Sequence, residues 1–171
     1  MNRFHRILGL AAAAAMIGAA APAFASTSVG NTQDLGVGAT IAGNCNISAP
    51  TALSFTYDTV VTNASTPAKQ STSFTVACTN GMTVALSITN GSNAGKASGS
   101  SRAMANNSNY LGYELYSDSN DTTVWGGSNT VSYTSSSAAT SQTENIYAVV
   151  PAGQDAAIGS YSDTVTIAAS F

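Results

Sequence analysis

What this sequence has least of is imidazole and charge. Its 171 residues include one histidine, two cysteines and one tryptophan, and only 8% of them are charged. Five basic side chains stand against eight acidic ones. Nucleic acid and anionic lipid both require clustered Lys or Arg, and no such cluster exists, so neither is a partner. The one histidine, His5, lies in a leader-like segment. There Arg3 and Arg6 precede an apolar run from Ile7 to about Ala21, and Ala23-Phe24-Ala25 forms a small-x-small cleavage site. This is the pattern of a secretory signal peptide over 1–25, with the mature chain beginning at Ser26. The run is short for a bilayer span and ends at the helix-breaking Pro22, which argues against a membrane anchor.

Once the leader is removed, histidine is gone, and with it every catalytic triad, proton shuttle or metal site built on imidazole. Lys69, Lys96 and Arg102 then face all eight acids, a balance more acidic than the −3 of the whole chain. Cys45 and Cys78 remain. In a chain exported to an oxidising compartment they are expected to pair as a disulfide, worth about 3.7 kcal/mol in the chain-entropy treatment. A metal held by this pair would lack further His or Cys ligands, so none is expected.

Apolar types make up 44% of the chain and Ser plus Thr about a quarter, enough to build one core under a weakly charged surface. Phe74, Val76 and Cys78 alternate with smaller residues from Ser71 to Thr79, and Val84, Leu86 and Ile88 repeat the pattern from Thr83 to Thr89. Period-two alternation marks strands with one buried face. The Asn80-Gly81 link between these runs predicts a hairpin. The stretch Ser92 to Asn109 has no apolar period and predicts a long surface loop. Further strands are expected at Leu111–Tyr116, around Val124-Trp125 and at Ile146–Val150. About seven short strands with no amphipathic helix between them predict an all-β immunoglobulin-like sandwich.

Both ends of the mature chain show strand patterns without an evident partner. From Tyr161 to Phe171, the residues Val165, Ile167, Ala169 and Phe171 share one face, and the final strand expected of the sandwich is not there to cover them. Leu35, Val37, Ala39 and Ile41 alternate with Gly36, Gly38 and Thr40 just before Cys45. Such a segment could add to the open edge of a neighbouring molecule or form the first strand of its own sandwich.

The chain resembles the spore coat protein U-like family, the domain of pilins in archaic chaperone-usher pili. The resemblance rests on Cys45-Asn46-Ile47-Ser48, Leu53-Ser54-Phe55-Thr56-Tyr57-Asp58 and Phe74-Thr75-Val76-Ala77-Cys78. It continues through Arg102-Ala103-Met104, Tyr113-Glu114-Leu115-Tyr116-Ser117-Asp118, Trp125-Gly126 and Gly159-Ser160-Tyr161-Ser162-Asp163-Thr164-Val165-Thr166-Ile167. It implies an incomplete immunoglobulin-like β-sandwich lacking its final strand and completed by a donor strand. It further implies a periplasmic chaperone, an outer-membrane usher and neighbouring pilin subunits as partners, with no enzyme activity, cofactor or metal. Under it, 26–43 is the donor segment and 44–171 the pilin domain. Leu35, Val37, Ala39 and Ile41 become donor residues, Val165, Ile167, Ala169 and Phe171 line the acceptor groove, and Cys45 and Cys78 are the family's disulfide. The expected function is a structural subunit of a surface fibre, secreted through the periplasm, serving adhesion and biofilm formation.

The alternative is a secreted carbohydrate-binding β-sandwich acting as a complete monomer, which would require Trp125 to be exposed beside other rings. Glu114, Asp118 and Asp121 could be imagined as a hydrolytic pair or a calcium site, but turn acids bonded to their own backbone explain them more simply.

Overall fold

The computed structural model describes residues 33–171; the leader assigned to 1–25 lies outside them. The described residues fall into two units, the segment that ends at Ile41 and a compact body over Ala42–Phe171. The body contains eight strands: β1 (Cys45–Ile47), β2 (Ala68–Cys78), β3 (Thr83–Ile88), β4 (Arg102–Asn106), β5 (Asn109–Tyr116), β6 (Val131–Thr134), β7 (Gln142–Val150) and β8 (Ile167–Ser170). They form a five-stranded sheet in the order β1-β2-β7-β5-β4 and a three-stranded sheet in the order β6-β3-β8. All the ladders are antiparallel. The all-β sandwich expected from the alternation is the fold that forms.

The core lies between the sheets and is built from the alternating positions. Phe74 and Val76 come from β2, Val84, Leu86 and Ile88 from β3, and Leu115, Ile146 and Val150 from β5 and β7. Trp125 completes it, its ring centroid 6.0 Å from that of Phe74 and its indole N–H donating to the Leu86 carbonyl at 3.1 Å. Cys45 and Cys78 are bonded and sit directly opposite each other in the β1–β2 ladder. The bond therefore fastens a three-residue strand that has few ladder hydrogen bonds of its own.

Three local expectations are corrected, the simplest being that no strand forms around Val124-Trp125, where Val124 makes only an isolated bridge to Tyr116. Strands β2 and β3 do not form a hairpin, because they belong to different sheets. The Asn80-Gly81 turn is a corner: Met82 N–H donates to the Thr79 carbonyl at 3.2 Å, and Gly81 alone of the two central residues has positive φ. A hairpin turn of type I′ needs positive φ at both positions, whereas this pattern is that of type II. Alternation could not distinguish the two outcomes, since both strands bury one face in either. The last correction concerns 92–109, where β4 pairs with β5 through the two-residue turn Asn107-Ser108.

Strand β4 escapes a hydrophobicity reading because its most buried long side chain is Arg102, with no exposed surface. The guanidinium donates to the carbonyls of Thr89 (Nη2 at 2.9 Å, Nε at 3.1 Å) and Trp125 (Nη2 at 2.7 Å), and it pairs with Glu114 at 3.5 Å. Burial pulls its pKa down, and the Glu114 carboxylate opposes that shift. A Cβ at residue 126 would collide with Nη2, which accounts for Gly126. Arg102 thus ties β4 to the end of β3 across the sandwich. Removing one partner of a buried pair typically costs about 3–5 kcal/mol. We predict a loss of that size for Arg102→Ala in urea unfolding, and a loss below about 1 kcal/mol would contradict this role.

Candidate functional site

Three strands cannot cover five. With neighbouring strands about 4.8 Å apart, the smaller sheet leaves part of the larger one's inner face without a strand above it. The uncovered region lies between the β1 edge of one sheet and the β8 edge of the other. Two chain segments border it. After Ile47 the chain leaves the ladder and continues through Leu53, Phe55 and Tyr57, which alternate half-buried with exposed neighbours and pack against the core. On the far side, Tyr161, Asp163, Val165 and Ile167 alternate in the same way.

Between these borders lie two cavities. One, of about 430 Å³, is lined by Ile47, Leu53, Val165 and Ile167 over a floor of Leu115 and Ile146. The other, of about 560 Å³, runs along 53–59 and 156–161 over Met104 and Leu111. Leu53 lines both, which makes them neighbours along one elongated cleft, apolar beside β8 and more polar along 156–161. Among the described residues, no strand pairs with the outer edge of β8.

The far border keeps its shape with little ladder support. Ser162 exchanges backbone hydrogen bonds with Ala105 of β4, at 2.8 and 3.1 Å, while β8 a few residues later pairs with β3. The strand therefore changes sheets along its length. Asp163 fastens the crossing: it accepts from Tyr113 Oη at 2.8 Å, from the Ser92 N–H at 2.9 Å and from Asn93 Nδ2 at 3.2 Å. Burial pushes the Tyr113 phenol up, and its bond to Asp163 adds to that shift. Thr89 Oγ1 and Thr89 N–H bind the backbone of Thr166 on the other side of the crossing.

Val165 and Ile167 line the cleft, and Ala169 packs on the core beside them. Phe171 is 66% exposed. In the segment 33–41, described by itself, Leu35, Val37 and Ile41 are largely exposed, Ala39 is exposed as well, and no strand forms.

The rival chemistries fare differently. Trp125 is 1% exposed, so it cannot serve as a stacking platform for sugar, and the condition set for the carbohydrate-binding alternative is not met. Glu114 is engaged by the Ser101 N–H, Ser101 Oγ and Arg102. Asp118 accepts from the backbone of Thr123, Thr122 and Asn120, and these bonds, that of Thr123 first, hold its carboxyl below the usual range. Asp121 pairs with Lys69. Each carboxylate is thus occupied locally, and among the described residues no group of three or more His, Cys, Asp or Glu side chains could hold a metal ion. Sequence reasoning missed Arg102 and Asp163 as organisers of the cleft's surroundings; the only signal for either was its place in the motifs that carry the family resemblance.

Trp125 also reports on the core directly. Its emission should be blue-shifted and scarcely quenched by acrylamide, whereas quenching as fast as that of free indole would contradict the burial described above.

Comparison with known proteins places these features in a family. The Spore Coat Protein U domain description matches residues 31–168. No curated protein matches. Among solved structures, a chain of the CsuC-CsuE chaperone-tip adhesion subunit pre-assembly complex from the archaic chaperone-usher Csu pili of Acinetobacter baumannii superposes with a TM-score of 0.55 at 23% identity. The match covers 77% of this chain and 40% of that one, so this chain spans less than half the length of its structural neighbour. The likeness is one of fold. With the family description matched over most of its length, the chain belongs to the Spore Coat Protein U domain family.

Proposed function

We propose that this chain is a structural pilus subunit that polymerises by donor-strand complementation into a surface fibre used for adhesion and biofilm formation. The observation that carries the reading is the apolar cleft beside the unpaired edge of β8, together with an exposed alternating arm, 35–41, that has the pattern to fill it. In this reading Leu35, Val37, Ala39 and Ile41 of one copy enter the cleft of the next. The arm's backbone pairs with the edge of β8, and its side chains meet Val165, Ile167 and Ala169, with Phe171 at the far end. Gly36 and Gly38 then face outward, where the arm needs no side-chain volume.

The energetics suit a long-lived link. Burying Leu, Val and Ile contributes about 1.5–3 kcal/mol each, hence about 5–9 kcal/mol as an upper bound before ordering costs. Persistence comes mainly from slow release, since withdrawing the arm re-exposes the half-buried Ile47, Leu53, Val165 and Ile167 that line the cleft. Before assembly the same cleft needs cover, which is the service of a periplasmic chaperone lending its own strand. The structural neighbour is a chaperone–subunit complex, and that supports extending the chaperone to this chain. Assembly at an outer-membrane usher and a destination in a surface fimbrium complete the proposal. The chemistry is non-covalent and uses no cofactor.

Deleting residues 26–42 removes the arm and leaves the cleft. The truncated subunit should accumulate bound to its chaperone and form no fibres, read as loss of the heat-labile ladder on a gel. Normal fibres from the truncated chain would overturn the assignment.

A further inference from the structure

We propose that successive copies touch through a second contact besides the inserted arm: the Thr79–Met82 corner of one copy seats on an apolar rim made by Val60, Val61 and Ile158 of the next. The inference rests on the donor-strand reading above and adds to it a specific surface and its partner, a second copy of this chain.

The first observation is the root of the arm. Only Ala42, Gly43 and Asn44 separate Ile41 from β1, and all three are gripped by the β2–β3 corner. Thr79 Oγ1 accepts from the Asn44 N–H at 3.0 Å, Thr79 N–H donates to the Asn44 carbonyl at 2.9 Å, and Thr79 Oγ1 donates to the Ala42 carbonyl at 3.4 Å. Met82 lies against Gly43, where a Cβ would stand 3.1 Å from its sulfur. The disulfide fixes the next residue, Cys45. The arm therefore starts from the corner without slack. Four residue steps from Ile41 to Cys45 span at most about 14 Å, so the body that owns the arm must lie against whichever end of the cleft receives Ile41.

The second observation selects that end. Every ladder in the body is antiparallel, and the missing final strand of an immunoglobulin-like sheet is antiparallel to the strand it follows. An arm running antiparallel to β8 places Leu35 toward Ser170 and Ile41 toward Tyr161. The cleft ends there at Asp58, Thr59 and Ile158.

The third observation is what stands at that end. Among the described residues, seven large hydrophobics are strongly exposed. Three of them are on the arm and one is Phe171; the other three are Val60 at 81%, Val61 at 73% and Ile158 at 101%. The valine turn is built to keep its shape. Asp58 Oδ1 accepts from the N–H groups of Val60 at 2.9 Å and Val61 at 3.1 Å, while the buried Asn63 returns a bond to the Asp58 N–H at 2.9 Å. A preformed apolar rim, at the end where a neighbouring body must come to rest, fits that body. The contact joins unlike surfaces head to tail, so it does not close on itself and it propagates along a fibre.

Paired cysteines test the contact. Fibres sheared from cells expressing V61C/N80C should, after mild oxidation, give a covalent ladder on a boiled non-reducing gel that collapses with reductant. Neither V61C nor N80C alone should give one. Oxidised fibres without a ladder would overturn the proposal, as would dimers from N80C alone, which would mean that like ends meet. If the double variant yields no fibres, V60D/V61D supplies the reading. It should lower fibre yield at least tenfold while the chaperone-held subunit still takes up a synthetic peptide of residues 33–42 as the parent does. Unchanged fibre yield sinks this contact alone, and a loss of chaperone-held subunit assigns the rim to the chaperone instead. Failure of the parent to take up the peptide sinks the donor-strand reading itself.

Discussion

The structure turns on a mismatch of area: an inner sheet face five strands wide lies under a sheet of three. Leu115 and Ile146 at the floor of the cleft are buried, but Ile47, Leu53, Val165 and Ile167 along its walls stay only half-buried, and no ladder-forming strand of the described body covers them. Water against such walls is unfavourable at about 25 cal/mol per Å². In the proposed function, the same deficit that would make an isolated copy poorly soluble supplies the driving force for taking up a strand from elsewhere, so that incompleteness and assembly are two views of one free-energy term.

Around this deficit the chain uses devices that replace missing ladder bonds. A disulfide fastens the short β1 at one border of the cleft. At the other border, the strand leading into β8 changes sheets and is steadied by Asp163, Tyr113 and Thr89 rather than by a continuous ladder. Arg102, fully buried, joins β4 to the end of β3 from inside. Buried polar groups of this kind are satisfied several times over, which is the condition under which they rigidify a core instead of weakening it. The two borders are thus held apart and in shape without a strand between them, so a cleft can exist before anything fills it.

Much of this was legible in the residues. The alternation of Phe74, Val76 and Cys78, of Val84, Leu86 and Ile88, and of Val165, Ile167 and Ala169 identified inward faces, because period-two burial is a local property of a strand. Partnership between strands is not local. The Asn80-Gly81 dipeptide reads as a hairpin from neighbouring residues alone, yet whether β2 and β3 share a sheet depends on where β7 and β8 lie. Arg102 was opaque for a related reason: an arginine in a Ser- and Asn-rich stretch looks solvated until the carbonyls of Thr89 and Trp125 are brought to it from distant parts of the chain. Glu114, Asp118 and Asp121 show the converse, acids that suggest chemistry in sequence and prove to be engaged by adjacent backbone or by a single basic partner.

The central claim is that a strand supplied alongside β8 completes the fold. Its most direct test is a chain in which residues 33–42 are moved from the front and placed after Phe171 through a short glycine-rich turn, followed by amide hydrogen exchange across 161–170. The account predicts a soluble monomer that needs no chaperone, with the outward amides of β8 slowed by orders of magnitude relative to a chain lacking the segment. Equal exchange in the two chains, with the transplanted segment itself unprotected, would contradict it.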